Sequence, residues 1–175
     1  MQQLIRLDPI DYLVIGHITK DLTPDGPRIG GTASYSALTA KALGLRVGMI
    51  TSWSEEISQE KLQGITILNQ TSTNSTTIEN IYMQNGRYQV IHCLANPLKP
   101  KLIPNTWENT PIVHLGPVAQ EVSSEIIHSF PQSLVGVTPQ GWLRSWDDQG
   151  RIFPTKWTEA SKVLNHANVT ILSIE

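Results

Sequence analysis

The run "GPRIGGTASYSALTAKALG" at residues 26–44 places a glycine pair, Gly30 and Gly31, directly before a stripe of small residues, Ala33, Ala37 and Ala40. Small and apolar positions recurring at three and four predict a helix over 32–43, and Gly44 supplies a stop signal. Upstream, "DYLVIGHI" (11–18) is a short apolar run entering a glycine and reads as a buried strand. Downstream, "RVGMITSW" (46–53) and "GITILNQ" (64–70) read as further strands. "SEEISQEKLQ" (54–63) between them reads as a short helix opened by Ser54. Strand, helix, strand, helix, strand in this order predicts parallel βαβ units. The glycine pair must therefore be explained inside an open α/β sheet: as a phosphate cradle, as a close approach to some other ligand, or as a plain tight turn.

Spacing removes the first option. A dinucleotide fold carries G-x-G-x-x-G in the turn directly after its first strand, so that pyrophosphate meets the helix N-terminus. Here the first strand ends near His17, the pair comes much later, and the third glycine is missing. The Gly-Lys-Ser/Thr ending of a Walker loop is also absent. The intervening "TKDLTPDGPRI" is too long for a turn; Pro24 and Asp25-Gly26-Pro27 mark an excursion away from the sheet and back. Close approach survives, because glycines without Cβ atoms let a ligand lie against backbone amides at a helix N-terminus. Asp21 falls at the carboxyl end of the sheet, where open α/β folds bind ligands. A carboxylate with free amides suits adjacent hydroxyls on a polyol. A tight turn with a solvated Asp21 is the competing reading.

From residue 76 the period changes. "TTIENIYMQNGRYQVIHCLA" (76–95) holds two alternating runs joined by Asn85-Gly86, a strong signal for a type I′ hairpin. Counting outward from that turn pairs Gln84 with Arg87, Met83 with Tyr88, Ile81 with Val90 and Glu79 with His92. The last three pairs share one face. A hairpin interrupting an α/β pattern is expected to protrude from the sheet. After the proline-rich crossing "NPLKPKLIP" (96–104), strands are expected at 111–118 and 133–141 and helices at 120–130 and 155–164. "LRSWDDQGRI" (143–152) reads as a surface excursion, and 168–175 as a buried strand on which the chain stops.

Composition narrows the classes. Of 175 residues 39% are apolar and 16% charged, as in a soluble globular domain, and the net charge of −2 argues against a nucleic-acid partner. No apolar run has membrane-spanning length and the N-terminus lacks signal-peptide features. The single cysteine, Cys93, cannot form an internal disulfide, so a cytoplasmic setting is expected. The histidines at 17, 92, 114, 128 and 166 lack metal-type spacing.

In combination, "DYLVIGHITKD", "GPRIGGTASYSALTAKALG", "VGMITS", the hairpin "TTIENIYMQNGRYQ", "PIVHLGPV" and "LVGVTPQGWLRSWD" resemble the PfkB/ribokinase-type carbohydrate kinases, in order along nearly the whole chain. The resemblance implies an α/β fold: a doubly wound, mostly parallel sheet carrying a small β lid, here from about 20–29 and 76–94. It implies ATP-dependent phosphoryl transfer, with Mg, to a hydroxyl of a sugar, polyol or nucleoside. Asp21 then matches the acidic residue that binds substrate hydroxyls, and Gly30 and Gly31 the glycines lying against the sugar. Gln140 falls near a substrate-contacting glutamate. Tyr35 stands where the signature helix usually has asparagine, a departure from ribose-like recognition that suits stacking on the apolar face of a ring, an inositol or another sugar. Glu79 and His92 could reach a substrate from the lid or form a surface ion pair. The lid face bearing Ile81, Met83, Tyr88 and Val90 could pair two subunits as a homodimer.

The family's second signature, Asp-Thr-x-Gly-Ala-Gly-Asp, is absent from these residues. That run supplies the general base and the amides that stabilise the transferring phosphoryl group. No catalytic residue is therefore assigned. The expectation is a sugar-binding N-terminal half of a kinase, truncated, inactive alone and unable to bind ATP and Mg in full. The alternative is a non-catalytic sugar-binding or interaction module.

Overall fold

The computed structural model describes residues 7–54, 60–84 and 86–173. In chain order its elements are β1 (Tyr12–Ile15), β2 (Thr19–Leu22), β3 (Arg28–Gly30), α1 (Thr32–Ala42), β4 (Val47–Thr51), β5 (Thr66–Asn69), β6 (Thr76–Met83) and β7 (Gly86–Cys93). They continue with β8 (Ile112–Leu115), β9 (Leu134–Val137), β10 (Arg144–Trp146), β11 (Ile152–Pro154), α2 (Ala160–Leu164) and β12 (Val169–Thr170). Six strands form the body in the order β12-β9-β8-β1-β4-β5, with parallel pairing throughout.

The centre of that sheet is apolar on both faces, as a covered parallel sheet requires. On one face Val14 and Met49 meet α1 through Ala33, Ala37 and Ala40, whose small side chains bring the helix close. On the other, Leu13, Ile15, Val113, Leu115, Val135 and Val137 pack against Leu98, Trp107, Ile126 and Phe130. The fully buried Trp107 donates its indole N–H to the Asp8 carbonyl at 3.1 Å. No helix among the described residues is long and apolar enough to cross a membrane.

Both lid segments form one separate sheet, in the order β3-β2-β6-β7. β2 leaves directly from the carboxyl end of β1, and β3 returns the chain through Gly31 into α1. The junction of lid and body is tied by two buried polar side chains. His17 donates from Nε2–H to the Asn96 carbonyl at 2.9 Å, and its Nδ1 lies 2.7 Å from the Thr76 hydroxyl. The buried Glu121 carboxylate accepts from the backbone N–H groups of His17, Val118 and Ala119 at 2.7–3.0 Å. A carboxylate so enclosed by amides is satisfied without a cation.

Several elements differ from the sequence expectation. The hairpin register is slipped by two: Met83 pairs with Gly86, Ile81 with Tyr88 and Glu79 with Val90, and a bulge follows between Thr77 and Ile78. Asn85, on which the turn expectation rested, lies outside the described residues. The slip preserves the facing of every side chain, because the period is two. The expected helix at 54–63 falls partly outside the described residues; Glu60–Leu62 form a 3₁₀ turn. The expected helix at 120–130 is a 3₁₀ segment, Ser124–Ser129, because Gln120 has a positive φ of 60° and Glu121 is turned back onto the amides. The helix expected at 155–164 shortens to α2. The last strand, β12, lies at the sheet edge, with Val169 and Ile171 exposed rather than buried. Residues 143–152 are no mere surface loop: they build the β10–β11 hairpin, which touches the lid through a Val90–Arg151 bridge.

One half-buried histidine has a measurable consequence. His114 on β8 lies 2.7 Å through Nδ1 from the Tyr12 hydroxyl and 3.1 Å through Nε2 from that of Thr138. Burial pushes the imidazole down to about 4 and the Tyr12 phenol up to about 12. An imidazole depressed below its ordinary 6.5 is protonated first in the unfolded chain. Stability is therefore lost as pH falls from about 6.5 toward 4. His114→Gln, which keeps a donor and an acceptor, is expected to flatten the melting temperature across that window, as thermal unfolding at successive pH values will read.

Candidate substrate-binding cleft

Where the lid overhangs the carboxyl ends of β1, β8 and β9 lies a cavity of about 280 Å³. It is lined by Thr19, Asp21, Gly31, Thr32, Tyr35, Ile78, Asn80, Arg87, Gln89, Val118, Gln140 and Arg144. Each group arrives for a local reason. Thr19 and Asp21 alternate onto one face of β2, and the Thr19 hydroxyl donates to Asp21 Oδ1 at 2.6 Å. Ile78 and Asn80 occupy the corresponding face of β6, and Arg87 and Gln89 that of β7. Gly31, Thr32 and Tyr35 bring the N-terminus of α1, whose first amides have no partner within the helix. Gln140 and Arg144 come from the 3₁₀ turn Pro139–Leu143 and the strand after it.

The glycine pair is spent on the protein's own groups. A Cβ on Gly30 would lie 2.1 Å from Asp21 Oδ2, so the absent side chain leaves room for that carboxylate. Gly31 has a φ of 87°, and a Cβ there would lie 2.5 Å from the His17 carbonyl oxygen. The first glycine admits Asp21; the second lets the bend from lid to helix close against the end of β1.

The electrostatics of the cleft centre on Asp21. Burial pushes its carboxyl above the usual range, opposed by the Thr19 hydroxyl and the charge of Arg144. Arg144 is itself buried and donates to the Val118 carbonyl at 3.3 Å and to Gln89 Oε1 at 2.8 Å. The Gln89 amide in turn donates to Asn80 Oδ1 at 2.8 Å. One carboxylate, two guanidiniums, three amides and three hydroxyls thus surround a small space with an apolar floor at Ile78 and Val118. Such a lining can hold a molecule rich in hydroxyls, each of which needs both donors and acceptors.

Of the residues singled out from sequence, Asp21, Gly31, Tyr35 and Gln140 line this cavity, and Gly30 lies beneath the Asp21 carboxylate. Glu79 and His92 do not line it. They sit on the lid's other face, 2.8 Å apart across the bulge, beside exposed Met83 and Tyr88. Asn80, Arg87, Gln89 and Arg144 were missed. The first three were legible in principle, since alternation puts them on the hairpin face opposite Glu79 and His92. Arg144 carried no such signal. No group of three or more His, Cys, Asp or Glu side chains that could hold a metal ion occurs among the described residues.

No family model matches the chain. A cytidine kinase from Thermococcus kodakarensis is 26% identical, over 73% of this chain and 51% of its own length. A solved pyrophosphate-dependent kinase of the ribokinase family, complexed with a pyrophosphate analog and myo-inositol, superposes with a TM-score of 0.74 at 21% identity, covering 92% of this chain and 60% of that one. Arabidopsis thaliana ribokinase complexed with ribose and ATP superposes with a TM-score of 0.58 at 11% identity, covering 94% and 60%. The chain has the α/β fold of the ribokinase-family kinases. It spans about half the length of the curated relative and about 60% of the solved structures.

The two glycines are expected to respond differently to the same substitution. Gly30→Ala displaces the Asp21 carboxylate and so changes the pH titration of that carboxyl, while the melting temperature changes little. Gly31→Ala strains the backbone at positive φ against the His17 carbonyl and costs on the order of 1–3 kcal/mol of stability. Carbon NMR titration of Asp21 and thermal unfolding of both variants check this. A carboxyl raised above its ordinary value binds its proton more tightly in the folded state, so stability falls as pH rises through the interval from 3.8 to the raised value. Asp21→Asn removes that loss: it should melt higher than the native chain near pH 7.

Proposed function

We propose that the cleft binds the hydroxyl-bearing acceptor of a ribokinase-type phosphotransferase, a sugar, cyclitol or nucleoside. The observation that carries this reading is the convergence of Asp21, Gln140, Tyr35 and the N-terminus of α1 on one small polar cavity beneath the lid. The Asp21 carboxylate accepts from adjacent ring hydroxyls, a charge-assisted bond in a site where that carboxylate is half-buried. Gln140 and Asn80 can each both donate and accept. Tyr35 offers an aromatic face to the apolar side of a ring. The likeness to kinases acting on cytidine, ribose and myo-inositol supports the class of acceptor and leaves the choice within it to the lining residues.

The donor side is a different matter. These 175 residues contain no Asp-Thr-x-Gly-Ala-Gly-Asp run and therefore no assigned base or glycine-amide cradle for a transferring phosphoryl group. The cleft residues make no contact with ATP or Mg in this reading. In this reading the chain grips an acceptor and does not by itself phosphorylate it.

The test is direct. Calorimetry of the chain with myo-inositol, ribose and cytidine is expected to show binding of at least one, lost in Asp21→Asn. The same chain with ATP and Mg, or with pyrophosphate, is expected to give no phosphorylated product above background. Absence of binding across the panel would overturn the reading of the cleft; turnover would overturn the assignment of chemistry to other residues.

A further inference from the structure

The buried cation of the cleft stands on the hairpin that the binding reading leaves unused. Arg144 opens β10 at 8% exposure and reaches in two directions, to the Val118 carbonyl of the body and to Gln89 Oε1 of the lid. A planar guanidinium can hold two acceptors along separate, fixed directions, which a compact ammonium does poorly. The same hairpin holds the lid a second time, because Gly150 accepts from the Ile91 N–H at 2.8 Å. Around these bonds Ile78 and Ile91 pack against Val118, Ala119 and Trp146, a small apolar cluster that keeps water from the guanidinium. Arg144 also lines a neighbouring cavity of about 590 Å³, together with Arg87, Gln89 and Gln140, so it stands on the wall between two spaces.

We propose that Arg144 is a positioning residue: one guanidinium fastens β7 of the lid to the body and supplies the positive charge that faces Asp21. The proposal rests on reading the cleft as an acceptor site. Among the described residues, Arg144 on β10, Arg87 on β7 and Tyr35 on α1 line the same cavity as Asp21, and Arg28 on β3 pairs with it across the strands. Arg28 is engaged by Asp25 at 3.0 Å. Of these, Arg144 draws the Asp21 carboxyl down against the opposing effect of burial. Lid placement and the ionisation of the acceptor carboxylate are thereby linked through a single side chain.

Three variants separate the two roles. Arg144→Met removes both charge and fork, Arg144→Lys keeps the charge, and Gln89→Leu cuts the lid end of the bond while leaving Arg144 beside Asp21. Two measurements need no ligand: the pH titration of the Asp21 carboxyl by carbon NMR, and hydrogen exchange of the Ile91 amide. Arg144→Met is expected to move the Asp21 titration upward and to speed Ile91 exchange by at least about tenfold, as loss of a charged hydrogen bond implies. Arg144→Lys restores the titration without restoring slow exchange. Gln89→Leu speeds exchange and leaves the titration in place. Binding of myo-inositol then weakens in Arg144→Met, with its pH midpoint following Asp21.

A folded Arg144→Met chain whose Asp21 titration and Ile91 exchange match the native ones overturns the proposal. If that variant does not fold, native-like Ile91 exchange in both Arg144→Lys and Gln89→Leu overturns it. A native chain that binds no polyol sinks the acceptor reading alone, and the two ligand-free measurements still decide Arg144.

Discussion

Two oxygen atoms occupy the space that side chains would take at residues 30 and 31. The Asp21 carboxylate lies over Gly30 and the His17 carbonyl over Gly31. These contacts let β3 come back beside β2 and turn at once into α1, so that the lid begins and ends at one point on the sheet. A methyl group at either position would separate the lid strand from the helix or push the carboxylate out. The cleft exists because the chain can pass through itself this closely, and glycine is the residue that permits it.

Around that bend the protein buries polar groups only where each has a partner. Glu121 is enclosed by three backbone amides, His17 bridges the start of β6 and Asn96 in the segment after β7, and Arg144 spans lid and body. Buried groups of this kind are costly when half satisfied and specific when fully satisfied. Here they sit at crossings between the two sheets, so directional bonds as well as apolar contact hold the lid. The apolar contact is small, a cluster built on Ile78, Ile91, Val118 and Ala119.

The functional reading follows from a division of labour. The cleft offers a carboxylate, amides, hydroxyls and helix-terminal N–H groups, all suited to recognising an acceptor. Under the proposed reading, the base and the cradle for developing charge that phosphoryl transfer further demands are assigned to no residue of the cleft. The fold itself is shared with ribokinase-family kinases solved with ribose or myo-inositol bound.

Much was legible beforehand, for identifiable reasons. Apolar runs and a small-residue helix marked the parallel body, because burial on both faces leaves a signature within one segment. Asp21, Gly30 and Gly31 stood out because turn chemistry and strand ends are local. The missed features were each nonlocal. Ser124–Ser129 failed to form an α-helix because Glu121 was drawn to amides at His17 and Val118, a partner 104 residues away in the first case. The hairpin slipped by two without exchanging its faces, since periodicity specifies which side a residue takes but not its opposite number. Arg144 became part of the cleft only when β10 folded against a lid strand 55 residues earlier. The sequence by itself determined the strands of the parallel body, the helix after the glycine pair, the lid hairpin and the place where backbone must approach backbone. Tertiary structure alone decided which distant charges and amides share the cleft, because those contacts depend on packing between sheets that no local pattern encodes.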